Sequence, residues 1–291
     1  MGRGGASSTR ALPQRAELDY AARLFGTIEI NGTFYSLQRP ESFERWYRAT
    51  PPGFVFSVKG ARFITHMKRL RDIDAPLANF FASGVFNLRE KLGPILWQFP
   101  PSFRYEPERL ERFLRLLPRD TEEALALARR RDGRVRGRAR LAIDARRRVR
   151  HAIEIRHESF SDPSFVELLR KHAVSLVVAD AAGRWPCFDD VTTDFVYVRL
   201  HGDEELYASG YGRAALERWA GRIRAWHEVE QPRDARRTSS TRQRRLRDVY
   251  CYFDNDAKVR APFDAATLQA ILGLGSELTP LSQAPDAIAP G

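Results

Sequence analysis

Seven short runs of β-branched and apolar residues recur along this 291-residue chain, and nearly every one ends in a charged or amide side chain. The runs are 27–31, 54–59, 94–99, 152–156, 174–179, 195–200 and 248–253. Amphipathic stretches at 41–49, 73–91, 106–117, 163–172 and 213–228 lie between them, and another at 264–273 follows the last. Pro-Pro-Gly at 51–53 ends the first stretch. Asp162-Pro163 starts the fourth with an N-cap and a first-turn proline. Only 181–194 is too broken by Gly and Pro to read as a helix. Alternating strands and helices predict a parallel sheet covered by helices.

Seven such strands fit either an open doubly wound sheet or most of a closed barrel. No Gly-rich turn follows a strand in a dinucleotide or P-loop pattern, which weakens the open sheet. The strand ends decide. They carry Glu29 and Asn31, Lys59, Gln98, Glu154 and Arg156, Asp180, Arg199 and His201, and Asp254 and Asn255. Residues two apart on a strand share one face, and a barrel turns the ends of that face into a mouth where sites are built. The expected fold class is α/β, a TIM-like (β/α) barrel.

The net charge of +11 raises the question of a nucleic-acid partner. Residues 119–150 hold 12 Arg against five acids, and 232–247 hold seven Arg against Asp234 alone. These two segments account for the whole positive excess, so the rest of the chain is slightly acidic. Both read as Arg-rich insertions, solvated loops without interleaved aromatics for stacking on bases. An apolar fraction of 43%, with 18 Phe, 9 Tyr and 5 Trp, excludes wholesale disorder. No apolar run is long enough to span a membrane. The start, Met1-Gly2-Arg3, lacks the core of a signal peptide, and Ala6 stands where a myristoylation signal needs Ser or Thr. Cys187 and Cys251 form no disulfide framework or metal spacing. The expected location is cytoplasmic, with no membrane partner.

Several stretches carry a family resemblance. They are Glu29-Ile-Asn-Gly-Thr-Phe-Tyr35, Thr50-Pro-Pro-Gly-Phe54, Lys59 with Arg62-Phe-Ile-Thr-His66, and Trp97-Gln-Phe-Pro-Pro101. Next come Ile153-Glu-Ile-Arg-His-Glu-Ser159, Asp180, Gly183-Arg-Trp-Pro186 and Tyr197-Val-Arg-Leu-His-Gly202. Leu206-Tyr207, Tyr211 and Tyr252-Phe-Asp-Asn-Asp256 complete the set. In these the chain resembles the YecE-like proteins, a bacterial and archaeal family classed as domain of unknown function 72. The resemblance implies a TIM-barrel-type fold over about 12–273, a loose tail at 274–291, and no particular reaction. Relatives begin with a strand bearing a Gly-Thr-Ser-Gly-Trp-like segment, for which Met1–Ala11 offer no counterpart. The expected barrel therefore lacks its first strand and has a gap beside 27–31.

The mouth gathers chemistry of two kinds. Glu29, Lys59, Glu154, Asp180 and His201 are the candidate catalytic residues. Asn31, Arg62, His66, Gln98, Arg156, His157, Arg199, Tyr207 and Asn255 are the candidate substrate-binding residues. Guanidinium groups favour carboxylate or phosphate, so a small anionic, possibly sugar-like molecule is the expected partner. Arg156 and Arg199 have a second reading, as counter-ions for Glu29, Glu154 and Asp180. Those three carboxylates with a His also leave a divalent metal open as cofactor. A Glu–His acid–base pair and a Schiff base on Lys59 are further options. Trp97, Cys187 and Cys251 read as packing residues. Trp185, Tyr207 and Tyr211 suit either a lid or an apolar plug. The functional expectation is an enzyme of acid–base type. The alternatives are a nucleic-acid-processing or binding protein guided by the Arg-rich segments, or a non-catalytic remnant of the family.

Overall fold

The computed structural model describes residues 14–207, 209–232, 234–238, 246–255 and 260–275. All seven expected strands form: β1 (Thr27–Ile30), β2 (Val55–Lys59), β3 (Leu92–Gln98), β4 (His151–Glu154), β5 (Ser175–Asp180), β6 (Phe195–Leu200) and β7 (Asp248–Phe253). Each pairs in parallel with the next, giving one sheet in sequential order. The doubly wound order is thereby ruled out.

Helices α1 (Gln14–Leu24), α2 (Gly32–Tyr35), α3 (Pro40–Arg48), α4 (Asp74–Ala82), α5 (Pro107–Leu116), α6 (Thr121–Ala128), α7 (Pro163–Lys171), α8 (Arg213–His227) and α9 (Ala261–Leu272) connect and follow the strands. The stretch expected as one helix over 73–91 divides into α4 and a 3₁₀ segment, Val85–Lys91. Gly84, at φ +118°, separates them. Asp162 caps α7 as expected, accepting from Ser164 N at 2.8 Å.

The core has two layers. Alternate strand residues point outward to the helices, among them Trp97, which is fully buried between Phe80 and Phe113. The opposite parity fills the barrel with Leu96, Ala152, Val177, Ala179, Phe195, Tyr197 and Tyr252. Above this floor come hydroxyls: Thr27 Oγ1 lies 2.7 Å from Tyr252 Oη, and Ser57 Oγ lies 2.6 Å from Tyr197 Oη. Charged residues occupy the rim.

Among the described residues no strand stands between β7 and β1, and these two share no ladder. The seam is nevertheless closed at side-chain level by Thr27 with Tyr252, and by Arg199 reaching both Glu29 and Asp254. Side chains of the described residues thus bridge the expected gap, and Met1–Ala11, on which the missing-strand expectation rests, lie outside the described residues.

The reading of 119–150 as a solvated loop fails. Asp120 caps α6 by accepting from Glu122 N and Glu123 N, and Ala124, Leu127, Ala128, Val135 and Val149 are buried in the main core. High arginine density obscured this short apolar face. The basic groups themselves stay outside, many against acids: Arg146 with Asp120, Arg147 with Asp144, Arg148 with Asp194 and Arg150 with Asp248. Of the second Arg-rich segment, 233 and 239–245 lie outside the described residues. Arg247, at its end, is buried, against the expectation of low burial. The tail from 276 onward also lies outside the described residues.

Candidate active site at the barrel mouth

Arg199 sits at the inward-facing end of β6, wholly buried, and organises the rim. Its Nε and Nη2 donate to the two oxygens of Glu29 at 3.1 and 2.9 Å. Nη1 donates to Glu154 Oε2 at 2.6 Å, and Nη2 also to Asp254 Oδ2 at 2.9 Å. Glu154, equally buried, receives Arg156 through Nε and Nη2 on its other oxygen, at 2.8 and 2.7 Å. His201 continues the inward parity two residues after Arg199. Its Nδ1 lies 3.1 Å from Asp254 Oδ2 and its Nε2 3.5 Å from Glu154 Oε1, aligned for electrostatic contact rather than linear hydrogen bonds. Tyr197 donates to Glu29 Oε2 from below at 2.7 Å.

Burial is the largest influence on Glu154 and alone would favour its neutral form. Arg199, Arg156 and His201 together outweigh it and hold the carboxyl well below the usual range. The same competition, with His201 and Arg199 opposing burial, keeps Asp254 low. Both are therefore ionised and committed to these partners. The counter-ion reading of Arg156 and Arg199 holds for Glu29 and Glu154.

Lys59 differs from the other rim cations. Its side chain is 7% exposed, and its ammonium lies 4.7 Å from the centroid of Phe34. No carboxylate of the described residues comes within 4.0 Å of it. Burial, then the charge of Arg199, lower its pKa, while Glu29, Glu154 and Asp254 pull the other way from a distance. His66 packs edge-on against the same Phe34 at 5.0 Å. Burial, then Arg156 and Lys59, bring its pKa down to about 4, so the ring is neutral near pH 7. Gly60, directly after Lys59, allows close packing: a β-carbon there would collide with the Trp97 ring.

A roof covers the other side. Trp185 stacks on the Arg156 guanidinium at 3.8 Å and meets the edges of His201 and Tyr207. Gly202, at φ +128°, starts the loop that carries Tyr207, and a β-carbon there would run into the Glu205 carbonyl. Trp185 and Tyr207 thus lie over the rim, while Tyr211 turns away, its hydroxyl on Asp180 and the Gly202 amide. Burial raises the Tyr207 pKa, so its hydroxyl stays protonated.

Four expected members fall elsewhere. Asp180 has the opposite parity to Ala179 and points outward, accepting from Tyr211 Oη at 3.2 Å. It lines a separate 450 Å³ cavity with Trp219 and Arg222. Asn255 likewise faces away, donating to Asp264 Oδ2 at 2.8 Å and to Ser209 O at 3.1 Å. Its neighbour Asp254 takes the place assigned to it, as the inward parity of Tyr252 would have indicated. Asn31 is exposed at the start of α2. His157 caps a 3₁₀ turn by accepting from Ser159 N at 3.0 Å. Gln98 is buried beside Glu154 in register, and Arg62 lies over Tyr35 at 5.5 Å. The metal set of Glu29, Glu154 and Asp180 is not assembled. Among the described residues no three His, Cys, Asp or Glu side chains are grouped to hold an ion.

The family described as protein of unknown function DUF72 matches residues 7–288. The chain belongs to this family. The Escherichia coli K12 protein named UPF0759 protein YecE is 34% identical over 86 residues, 30% of this chain and 31% of that protein. The Bacillus subtilis UPF0759 protein YunF is 32% identical over 89 residues, 29% of this chain and 32% of its own length. The aligned stretch thus spans about a third of these curated relatives. Two crystal structures of DUF72 members share the fold. The Thermotoga maritima protein superposes with a TM-score of 0.66 at 24% identity, covering 90% of this chain and 91% of its own. The Enterococcus faecalis protein gives 0.65 at 18% identity, covering 90% of each. No helix among the described residues is long and apolar enough to cross a membrane.

Proposed function

We propose that this DUF72 protein is an enzyme acting by acid–base chemistry on a small phosphorylated or carboxylated, possibly sugar-like compound at the barrel mouth. One observation carries the reading: Lys59 is a nearly buried ammonium at a strand end with no ion-pair partner among the described residues, whereas Arg199 and Arg156 beside it are both paired. An unpaired charge costs folding free energy when desolvated, and such groups concentrate where a ligand supplies the missing partner.

In this reading Lys59 holds the anionic group and, with its lowered pKa, passes a proton to or from the substrate. Neutral His66 is the nearby acceptor, and the Tyr207 hydroxyl and Arg156 complete the rim. Glu29, Glu154, Asp254 and His201 are positioning residues, because their polar atoms serve Arg199 and one another. The nucleic-acid alternative draws less support, since Arg146, Arg147, Arg148 and Arg150 already face acids.

The test is native mass spectrometry of protein purified gently at low salt, comparing the wild type with Lys59→Met. A phosphorylated or carboxylated small molecule that co-purifies with the wild type and is lost from the variant supports the reading. Equal retention by both proteins removes Lys59 from the binding site.

A further inference from the structure

We propose that a second pocket, beside the mouth and separated from it by Phe34, binds an aromatic anion, a ring bearing a carboxylate or phosphate. The pocket lies between α2, the turn Phe63–Met67 and the loop that carries Arg134, with a volume of about 240 Å³. An apolar cavity of about 150 Å³ already accommodates benzene, so a six-membered ring with a small charged group fits here.

The lining divides into two parts. Phe34, Tyr35, Phe63, Ile64 and Met67 supply apolar and aromatic surface, with Tyr35 and Met67 strongly exposed. Arg62 and Arg134 supply the charge. Neither forms an ion pair within 4.0 Å among the described residues. Arg62 lies over Tyr35 at 5.5 Å and Arg134 over Phe63 at 5.0 Å. No acid lines the pocket, and Asp132, two residues before Arg134, spends Oδ1 on Arg134 N and Asn79 Nδ2.

Two guanidinium groups resting on rings, without carboxylate partners, keep their in-plane donors free for an anion. The adjoining aromatic surface favours a ring in the same ligand. The turn at Phe63–Met67 is π-helical, a rare geometry frequently found at functional sites. This assignment does not rest on the role given to Lys59. Phe34 has Lys59 and His66 packed on it and also lines this pocket.

The chain has two methionines, Met1 and Met67, so a methyl-¹³C-methionine spectrum of the full chain reports the pocket through a single resonance. Met67→Leu assigns that resonance by removing it. Phenyl phosphate and benzoate serve as probes, with inorganic phosphate and benzyl alcohol as the charge-only and ring-only controls. The expected result is a saturable Met67 shift with at least one aryl anion, the tighter of the two identifying the preferred headgroup. The controls should bind about tenfold more weakly or worse. Arg62→Gln and Arg134→Gln should each weaken aryl-anion binding about tenfold, while Arg134→Lys, which keeps the charge and guards against a folding artefact, retains most of it. Lys59→Met should leave the response in place. The proposal is overturned if neither aryl anion moves Met67, if benzyl alcohol moves it equally, or if the glutamine variants bind as the wild type does. Loss of the response in folded Lys59→Met would place the ligand in the mouth instead and also overturn it.

Discussion

Replacing Arg199 by glutamine removes the one guanidinium that binds Glu29, Glu154 and Asp254 together. The residue keeps a polar tip but loses its charge and the four hydrogen bonds at 2.6–3.1 Å. Breaking a buried pair on one side costs about 3–5 kcal/mol, because the partner is left charged and desolvated. With an unfolding entropy of about 2.1 cal/mol/K per residue, that loss lowers the melting temperature of a 291-residue chain by about 5–8 °C. The pH dependence gives a second signature. In the wild type the depressed Glu154 and Asp254 contribute stability above the unfolded carboxylate values, and it is lost as pH falls through their lower folded ones. Without Arg199 only Arg156 and His201 are left to oppose burial, so the folded pKa of Glu154 rises from its wild-type position. The stability deficit of the variant should then narrow on acidification, because its Glu154 takes up a proton at higher pH than that of the wild type. Urea unfolding followed by tryptophan fluorescence at several pH values measures both effects. A loss below about 1 kcal/mol, the range of exposed ion pairs, with unchanged pH dependence would refute the description of Arg199 as the keystone of the rim.

Three further outcomes follow from the same structure. Lys59→Met removes a cation whose burial is uncompensated, so denaturant unfolding should show unchanged or slightly higher stability, by about 0.5–2 kcal/mol; a loss of several kcal/mol would mean that Lys59 is a structural ion. His151 accepts from Trp97 Nε1 at 3.1 Å, and burial holds its pKa at about 4 against a smaller opposing pull from the Pro118 carbonyl. Its contribution is complete above the unfolded value of about 6.5 and falls as pH drops from there toward 4, by about 2 kcal/mol at pH 5; His151→Gln should flatten that slope in a stability-versus-pH series. Gly202→Ala forces an L-residue to φ +128° against the Glu205 carbonyl, so it should cost about 1–3 kcal/mol in unfolding experiments and displace Tyr207, seen as altered quenching of Trp185; a neutral effect would show that the loop relaxes freely.

The strands were legible because each is a short β-branched run closed by a turn or cap, and their parallel order followed from the helices between them. Parity along the strands held enough information to select Glu29, Lys59, Glu154, Arg199 and His201, all on the inward face. The same parity argues against Asp180 and Asn255, although both sit at strand ends, and in favour of Asp254. Which carboxylate meets which cation was hidden, since contacts between β1, β4, β6 and β7 have no spacing in sequence. Helix α6 does carry a start signal in Asp120, with Glu123 three residues on. The dense arginines that follow mask the short apolar face of Ala124, Leu127 and Ala128. The π-helical turn at Phe63–Met67 left no periodic trace, because a single turn is too short to show one.

The proposal that the mouth receives an anion through Lys59 is tested most directly by the titration of that amine. The chain has five lysines, so ¹³Cε-labelled lysine gives a spectrum simple enough to follow, and Lys59→Met identifies the relevant signal. The midpoint should lie below the ordinary lysine value, because burial and Arg199 disfavour the charge, and should shift upward when a bound phosphorylated or carboxylated compound stabilises the ammonium. A midpoint at the ordinary value, unmoved by any such compound, would contradict the proposal.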